Sequence, residues 1–365
     1  MFRGMTICFM IIVNSPGSGA TPFGPFSHAA WHGFTPTDLV FPSFLFAVGN
    51  AMSFSADKLA AMTNSAFLLK IFKRTLLIFV IGFLMYWFPF FMMREGHLAL
   101  RPFSETRVMG VLQRIALCYL FASLLVRYLS VRTVIAVSVV LLVGYWLLLL
   151  AFDTHNDPYA MLTNTGSLMD MYIFGEKHLY HGEGVAFEPE GLLGTLPAIV
   201  NVVIGYYAGI FIRKNGKNHE TIGKLFLAGG ALILLALVWN SWFPINKKLW
   251  TSPFVLLTTG IDLHIIAALI YIVEFRNQAE SRWTKFFTIL GKNPLFIYIL
   301  SELLLIILYL IQASPNQNLL ERINASFFQV IAPGPFGSLL FAISFMLVCW
   351  SVGWWLDKKK IYIRV

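Results

Sequence analysis

Residues 133–152 read TVIAVSVVLLVGYWLLLLAF, twenty positions without a single charge. At 1.5 Å per residue a helix of that length reaches about 30 Å, the thickness of the hydrocarbon core of a bilayer. A helix also satisfies its own backbone N–H and C=O groups, which an isolated strand cannot do in lipid. The stretch reads as a membrane helix, and the rest of the chain shares its character. Hydrophobic residues make up 58% of the 365 and charged residues 12%, with a mean hydropathy of +0.71. A soluble domain carries about twice that share of charge. The composition argues against a soluble enzyme, a disordered chain and a nucleic-acid binder, and predicts an all-α, polytopic integral membrane protein.

Working outward from that helix, ten apolar segments emerge: 1–13, 37–56, 67–91, 108–126, 133–152, 191–212, 225–242, 253–275, 286–313 and 336–356. Lys and Arg orient them. With the N-terminus cytoplasmic, 18 of the 27 cations fall on the cytoplasmic side and 7 on the other, while Arg114 and Lys292 lie inside spans. That asymmetry favours ten helices with both termini in the cytoplasm. The first segment is short, because only Met5 to Val13 are uncharged after Arg3. It reads either as a signal peptide or as a membrane helix whose start lies upstream, and the second reading is preferred. We expect one transmembrane domain over 1–365, with a long outward-facing connection at 153–190 that holds seven carboxylates against Lys177. That connection reads as a solvated acidic loop or a functional one. Cys8, Cys118 and Cys349 sit in apolar runs, where thiols pack as small hydrophobes.

Polar groups at membrane depth are costly and become functional candidates. The densest set is the first outward segment, from Asn14 to Asp38, which contains no Lys or Arg. His28 and His32 stand four residues apart between aromatics, just ahead of Pro36-Thr37-Asp38, an ordinary helix opening in which Asp38 can be a first-turn charge. Water-satisfied interfacial histidines are the plain alternative, and no carboxylate-rich motif nearby suggests a metal site. Asp262 and His264 point to different helix faces, which argues against a dyad.

These residues carry a resemblance. Asn14 with the following Pro-Gly, His28-Ala29-Ala30-Trp31-His32-Gly33 and Thr37-Asp38-Leu39-Val40-Phe41-Pro42-Ser43-Phe44 resemble the heparan-α-glucosaminide N-acetyltransferase family of membrane acyltransferases. Further matches follow in order at Gly110–Ala116, Pro189–Thr195, Asn246–Thr251 and Gly291–Leu295. The lysosomal enzyme has an additional helix and lumenal domain ahead of this region, as bacterial relatives do not. The resemblance implies acetyl transfer across a membrane, with cytoplasmic acetyl-CoA as donor and an amino sugar of glucosamine type on the periplasmic side as acceptor. It implies His28 as the catalytic histidine and Asn14 as a polar partner near the acetyl group, and Asp38 joins them as a candidate. His32 departs from the lysosomal pattern, which has Asn there, and receives no catalytic role.

Imidazole chemistry suits either a general base or an acetyl carrier, and an Asn amide suits an oxyanion. The phosphates of CoA need cations, and no phosphate-binding glycine loop is present. Lys70, Lys73 and Arg74 are candidates, beside their plainer role as positive-inside anchors, and Lys292 is another unless it pairs with a carboxylate. No metal is expected, and membrane lipid is the surrounding partner. A homodimer in a bacterial inner membrane is the expectation by analogy. The rival reading is a transporter or flippase for a sugar or envelope-glycan precursor, using Asp262, Lys292 and Glu302 as a polar path.

Overall fold

Twelve helices carry the architecture of the computed structural model, which describes residues 1–17, 21–94 and 97–363. They are α1 (Phe2–Asn14), α2 (Val40–Ser53), α3 (Asn64–Trp87), α4 (Val111–Tyr128), α5 (Val131–Ala151), α6 (Thr165–Phe174), α7 (Leu192–Asn215), α8 (His219–Trp239), α9 (Ser252–Ile270), α10 (Arg282–Lys292), α11 (Pro294–Leu310) and α12 (Pro335–Lys358). Sheet is confined, among the described residues, to two small two-stranded antiparallel pairs, the larger joining Phe91–Arg94 to His97–Leu100.

Helix starts follow local chemistry. Thr63, Ser130, Asn218 and Ser281 each sit at an N-cap, and their side chains accept from the backbone N–H of Ala66, Thr133, Thr221 and Thr284. Each bond satisfies one of the donors that a first helical turn leaves unpaired. Pro294 has no N–H to offer, so α10 stops at Asn293 and α11 restarts with a bend of 81°.

Every one of the ten segments read from sequence contains a helix, but their lengths differ. Among the described residues six helices are long and apolar enough to cross a membrane: α4, α5, α7, α8, α12 and the span from Ser252 to Phe275. The bent pair α10–α11 makes a seventh if counted as one. α1 has 13 residues and α2 has 14, while α3 has 24 but opens with Lys70, Lys73 and Arg74.

The helices form two compact units: residues 1–29, 34–44 and 268–363 in one, and 30–33 and 45–267 in the other. In the first, α1 lies against α10 so closely that a Cβ on Gly4 would collide with the Phe287 carbonyl. Arg3 donates to Gly291 O on the same helix. In the second, α4 packs between α3 and α7, and α5 packs on α7. Burial separates inner helices from outer ones here. The apolar windows of α4 and α7 are 56% and 61% buried, against 22% and 28% for α5 and α8. The outer helices therefore display long apolar faces, such as Ile135, Val139 and Leu147 on α5, as lipid-facing helices do.

The acidic connection at 153–190 is more than a solvated loop. It contains α6, buries Leu179 and Phe187, and brings Asp170, Glu188 and Glu190 to 2%, 4% and 8% exposure. Tyr159 and Met169 pack on the cluster of Tyr145, Leu149, Leu193 and Phe243, which holds the connection down.

Candidate functional site

The segment before α2 owes its shape to one carboxylate. Thr35 is extended and Pro36 opens a single 3₁₀ turn, Pro36–Leu39. Asp38 reaches back from that turn to close a capping box. Its Oδ2 accepts from Thr35 N at 2.9 Å, Thr35 Oγ1 at 3.0 Å and Ala29 N at 3.2 Å. Its Oδ1 lies 2.7 Å from His28 Nδ1. The Asp38 side chain is 1% exposed and that of His28 42%. Three N–H or O–H donors and the His28 ring thus converge on one buried side chain. A carboxylate that only accepts requires the hydrogen on Nδ1, so the tautomer assigned to His28 keeps its lone pair on Nε2. The arrangement is that of a base with an orienting acid: the acid fixes the ring and stabilises imidazolium when a proton arrives.

His32 is held by an amide instead. Asn246 Nδ2 lies 3.3 Å from its Nδ1, so Nδ1 accepts and the hydrogen sits on Nε2. Partial desolvation lowers the His32 pKa, opposed by Asp157. The backbone around it is pinned: Gly33 N donates to Ile245 O, Lys248 Nζ to Ala30 O, and Trp31 Nε1 to Tyr159 O. Asn14, in the last turn of α1, donates through Nδ2 to Glu302 Oε1 on α11 at 3.1 Å.

A second polar centre lies at the start of α4 and α7. Arg107 donates to both oxygens of Glu188, from Nε at 2.9 Å and Nη2 at 2.5 Å, and to Glu190 Oε2 at 2.6 Å, with its guanidinium over the rings of Tyr86 and Tyr180. Burial pushes the Glu188 carboxyl up, against the pull of Arg107. Asp170 Oδ1 caps α7 by accepting from Leu192 N at 3.0 Å, and burial raises this carboxyl to about 6. Arg114, 1% exposed, donates through Nη2 to Gly191 O at 2.9 Å and lies over Trp250.

Comparison with curated proteins now bears on these residues. The chain is 28% identical over 355 residues to the heparan-alpha-glucosaminide N-acetyltransferase of Homo sapiens, across 82% of this chain and 51% of that protein. It is 26% identical over 361 residues to the Mus musculus protein of the same name, across 83% and 52%. The chain is a relative of these acetyltransferases. It spans about half the length of the curated relatives it matches. No family model matches it.

Of the residues singled out from the N-acetyltransferase resemblance, His28 and Asp38 are brought into contact, and Asn14 is paired with Glu302. Lys70, Lys73 and Arg74 are exposed on one face of α3, as i, i+3, i+4 spacing requires. Arg74 also rests over the Tyr119 ring. Lys292 is paired with Asp357, at 2.7 Å and 2.9 Å from its two oxygens, so any anion it receives competes with that carboxylate. His264 lies 3.0 Å from the Phe226 carbonyl through Nε2, and Asp262 is fully buried. Among the described residues no group of three His, Cys, Asp or Glu is arranged to hold a metal. Sequence reasoning missed Arg107, Asp170, Glu188 and Asn246 as site residues. Glu188 is adjacent to one matched motif and Asn246 opens another, which was the available signal.

Proposed function

We propose that this chain is an integral membrane acetyltransferase that moves an acetyl group from acetyl-CoA to the amine of an amino sugar. The observation that carries the proposal is the 2.7 Å contact between His28 and the buried, fully donated carboxylate of Asp38. Kinship with enzymes whose names state that chemistry supports it. The ten-span topology with cytoplasmic termini, the periplasmic acceptor and the bacterial inner membrane belong to the same proposal, resting on the Lys/Arg asymmetry.

In the direct route the acceptor amine attacks the thioester carbonyl carbon. His28 Nε2 takes the proton that the amine must lose, and the C–S bond breaks as the N–C bond forms. The proton passes to the departing thiolate, giving free CoA and the amide. Asp38 stabilises the transient imidazolium. In the carrier route Nε2 itself attacks first, releases CoA, and hands the acetyl group to the amine in a second step. Asn14 has a second amide hydrogen besides the one given to Glu302, suited to the carbonyl oxygen as charge develops. Lys70, Lys73, Arg74 and Lys292 are the cations proposed for the phosphates of CoA.

The test is CoA release from acetyl-CoA by the purified chain, with and without glucosamine, beside His28→Ala. Release that requires the amine and disappears in the variant supports the proposal. Acetyl-CoA that neither binds nor is consumed overturns it and favours the transporter reading. A stoichiometric burst of CoA without acceptor selects the carrier route, and its absence selects the general base.

A further inference from the structure

One face of α12 changes character in order along its length. Leu347, Trp354 and Lys358 are spaced by seven and four residues, and so are Val348, Trp355 and Lys359. That spacing sets the six in two adjoining rows on one side of the helix, and all six are exposed. The face therefore runs from aliphatic side chains to tryptophans to lysines. Leu347 and Lys358 stand about 16 Å apart along a helix axis, close to half the hydrocarbon thickness of a bilayer. Acyl chain, interface and headgroup follow one another in the same order within one leaflet.

The lysine end is built rather than frayed. α12 closes in a Schellman turn, in which Ile361 N donates to Leu356 O and Lys360 N to Asp357 O, both at 2.9 Å. The turn needs a left-handed residue, and Lys360 fills that place with a φ of 57°. Glycine is the usual occupant, because a Cβ is strained there. The chain thus keeps a cation at a position where any side chain costs backbone energy. Asn293, fully buried at the bend between α10 and α11, then clamps the segment that follows. Its Nδ2 donates to Ile361 O at 3.0 Å, and its Oδ1 accepts from Ile363 N at 2.7 Å. Lys358, Lys359 and Lys360 are exposed, and among the described residues none of the three pairs with a carboxylate. Asp357 beside them is taken by Lys292 and by the Tyr362 hydroxyl. Lys358 Nζ lies 5.2 Å from the centre of the Trp354 ring, which joins the charged end of the face to its aromatic middle.

Three cations held in a fixed turn select an anion. The apolar face that continues from them narrows the choice. A free phosphate, a nucleotide or an acidic peptide has nothing to lay along exposed tryptophan, leucine and valine, whereas a phospholipid has acyl chains. A zwitterionic headgroup carries its own cation toward the lysines, and an anionic one does not. We infer that the face of α12 from Leu347 to the Lys358–Lys360 turn binds an anionic phospholipid, with its phosphate on the lysines and its acyl chains along the tryptophans and aliphatic residues. The inference concerns the chain as a membrane protein and stands apart from the acetyl-transfer reading.

The experiment places the full chain in nanodiscs of phosphatidylcholine with a minor fraction of phosphatidylglycerol, brominates the acyl chains of one lipid or the other, and reads quenching of tryptophan fluorescence. The share that belongs to this face is the part lost in the double variant Trp354→Phe, Trp355→Phe. Brominated phosphatidylglycerol is expected to quench that share at about tenfold lower mole fraction than brominated phosphatidylcholine, with the preference weakening in high salt. The triple variant Lys358→Gln, Lys359→Gln, Lys360→Gln is expected to abolish the preference. Lys360→Gly relieves the turn of its strained residue and removes one charge. It should lower the preference about fivefold while Tm in phosphatidylcholine alone holds or rises. Equal quenching by the two lipids in wild type, or a preference that survives the triple variant, overturns the inference. Displacement of phosphatidylglycerol by acetyl-CoA also overturns it and assigns the lysines to a soluble phosphate. If the triple variant does not fold, Lys360→Gly carries the test, and an undiminished preference there overturns the inference.

Discussion

The His28–Asp38 pair and the polar centre at Arg114 are both polar islands in an apolar chain, and they differ in completeness. Around Asp38 both carboxylate oxygens are used, by three donors from the backbone and Thr35 and by the His28 ring. Around Arg114 one nitrogen donates to Gly191 and two find nothing. A completed network keeps its shape without help, which is what a base must do before substrate arrives. An incomplete one leaves buried donors unused, at a cost in stability. The contrast separates a side chain whose partners are all in place, as the proposed chemistry at His28 needs, from one whose donors are not all used.

The largest expected effect breaks the completed side. Asp38→Asn presents an amide to His28 Nδ1 and favours the tautomer with hydrogen on Nε2. Amine-dependent CoA release should then fall about 10³–10⁴-fold, the order seen when an orienting carboxylate is amidated. Near-normal release would show that the pairing is only structural.

Asp170 sharpens the other side. Burial raises its carboxyl from 3.8 to about 6, so the folded state holds the proton more tightly than the unfolded one. The stability gained from that proton is full below about pH 4 and fades as pH rises through 6, on the order of 3 kcal/mol. Thermal melts of wild type should therefore lose stability across that window. Asp170→Asn should flatten this arm, because an amide keeps the bond to Leu192 N without a charge to bury. A variant that retains the full slope would assign it elsewhere.

Smaller changes probe the edges. Thr35→Val removes one donor to Asp38 and leaves the Thr35 N–H, and should lower CoA release about five- to tenfold, near 1 kcal/mol. His32→Asn should change release by less than about threefold and leave its pH profile in place, since an Asn oxygen can accept from Asn246 as His32 Nδ1 does. A large loss there would mean that both histidines act, and the comparison drawn from their partners would fail.

Helices were legible because apolar length and cap residues are local properties: each of the ten segments holds one, and the break at Pro294 is written in its missing N–H. Span lengths were less so: α1 has 13 residues and α2 has 14, shorter than a hydrophobic run alone would suggest. Asn14, His28 and Asp38 stood out as polar groups in a segment without Lys or Arg, but a partnership ten residues apart across an irregular loop has no periodicity to reveal it. The polar centre at Arg114 was hidden further. Asp170 and Glu188 lie in a stretch whose acidity reads as solvation, and only the folded chain brings them to Arg114 and buries them.

One carboxylate both closes the 3₁₀ turn at Pro36 and holds the His28 ring, and this ties the proposed activity to fraying. The amides of Ala29 and Thr35 are released by the same opening that lets the His28 ring turn. Their exchange with solvent deuterium should share one opening free energy, well short of that of global unfolding, and the proposed acetyl transfer should fade on warming with that opening rather than with the melt.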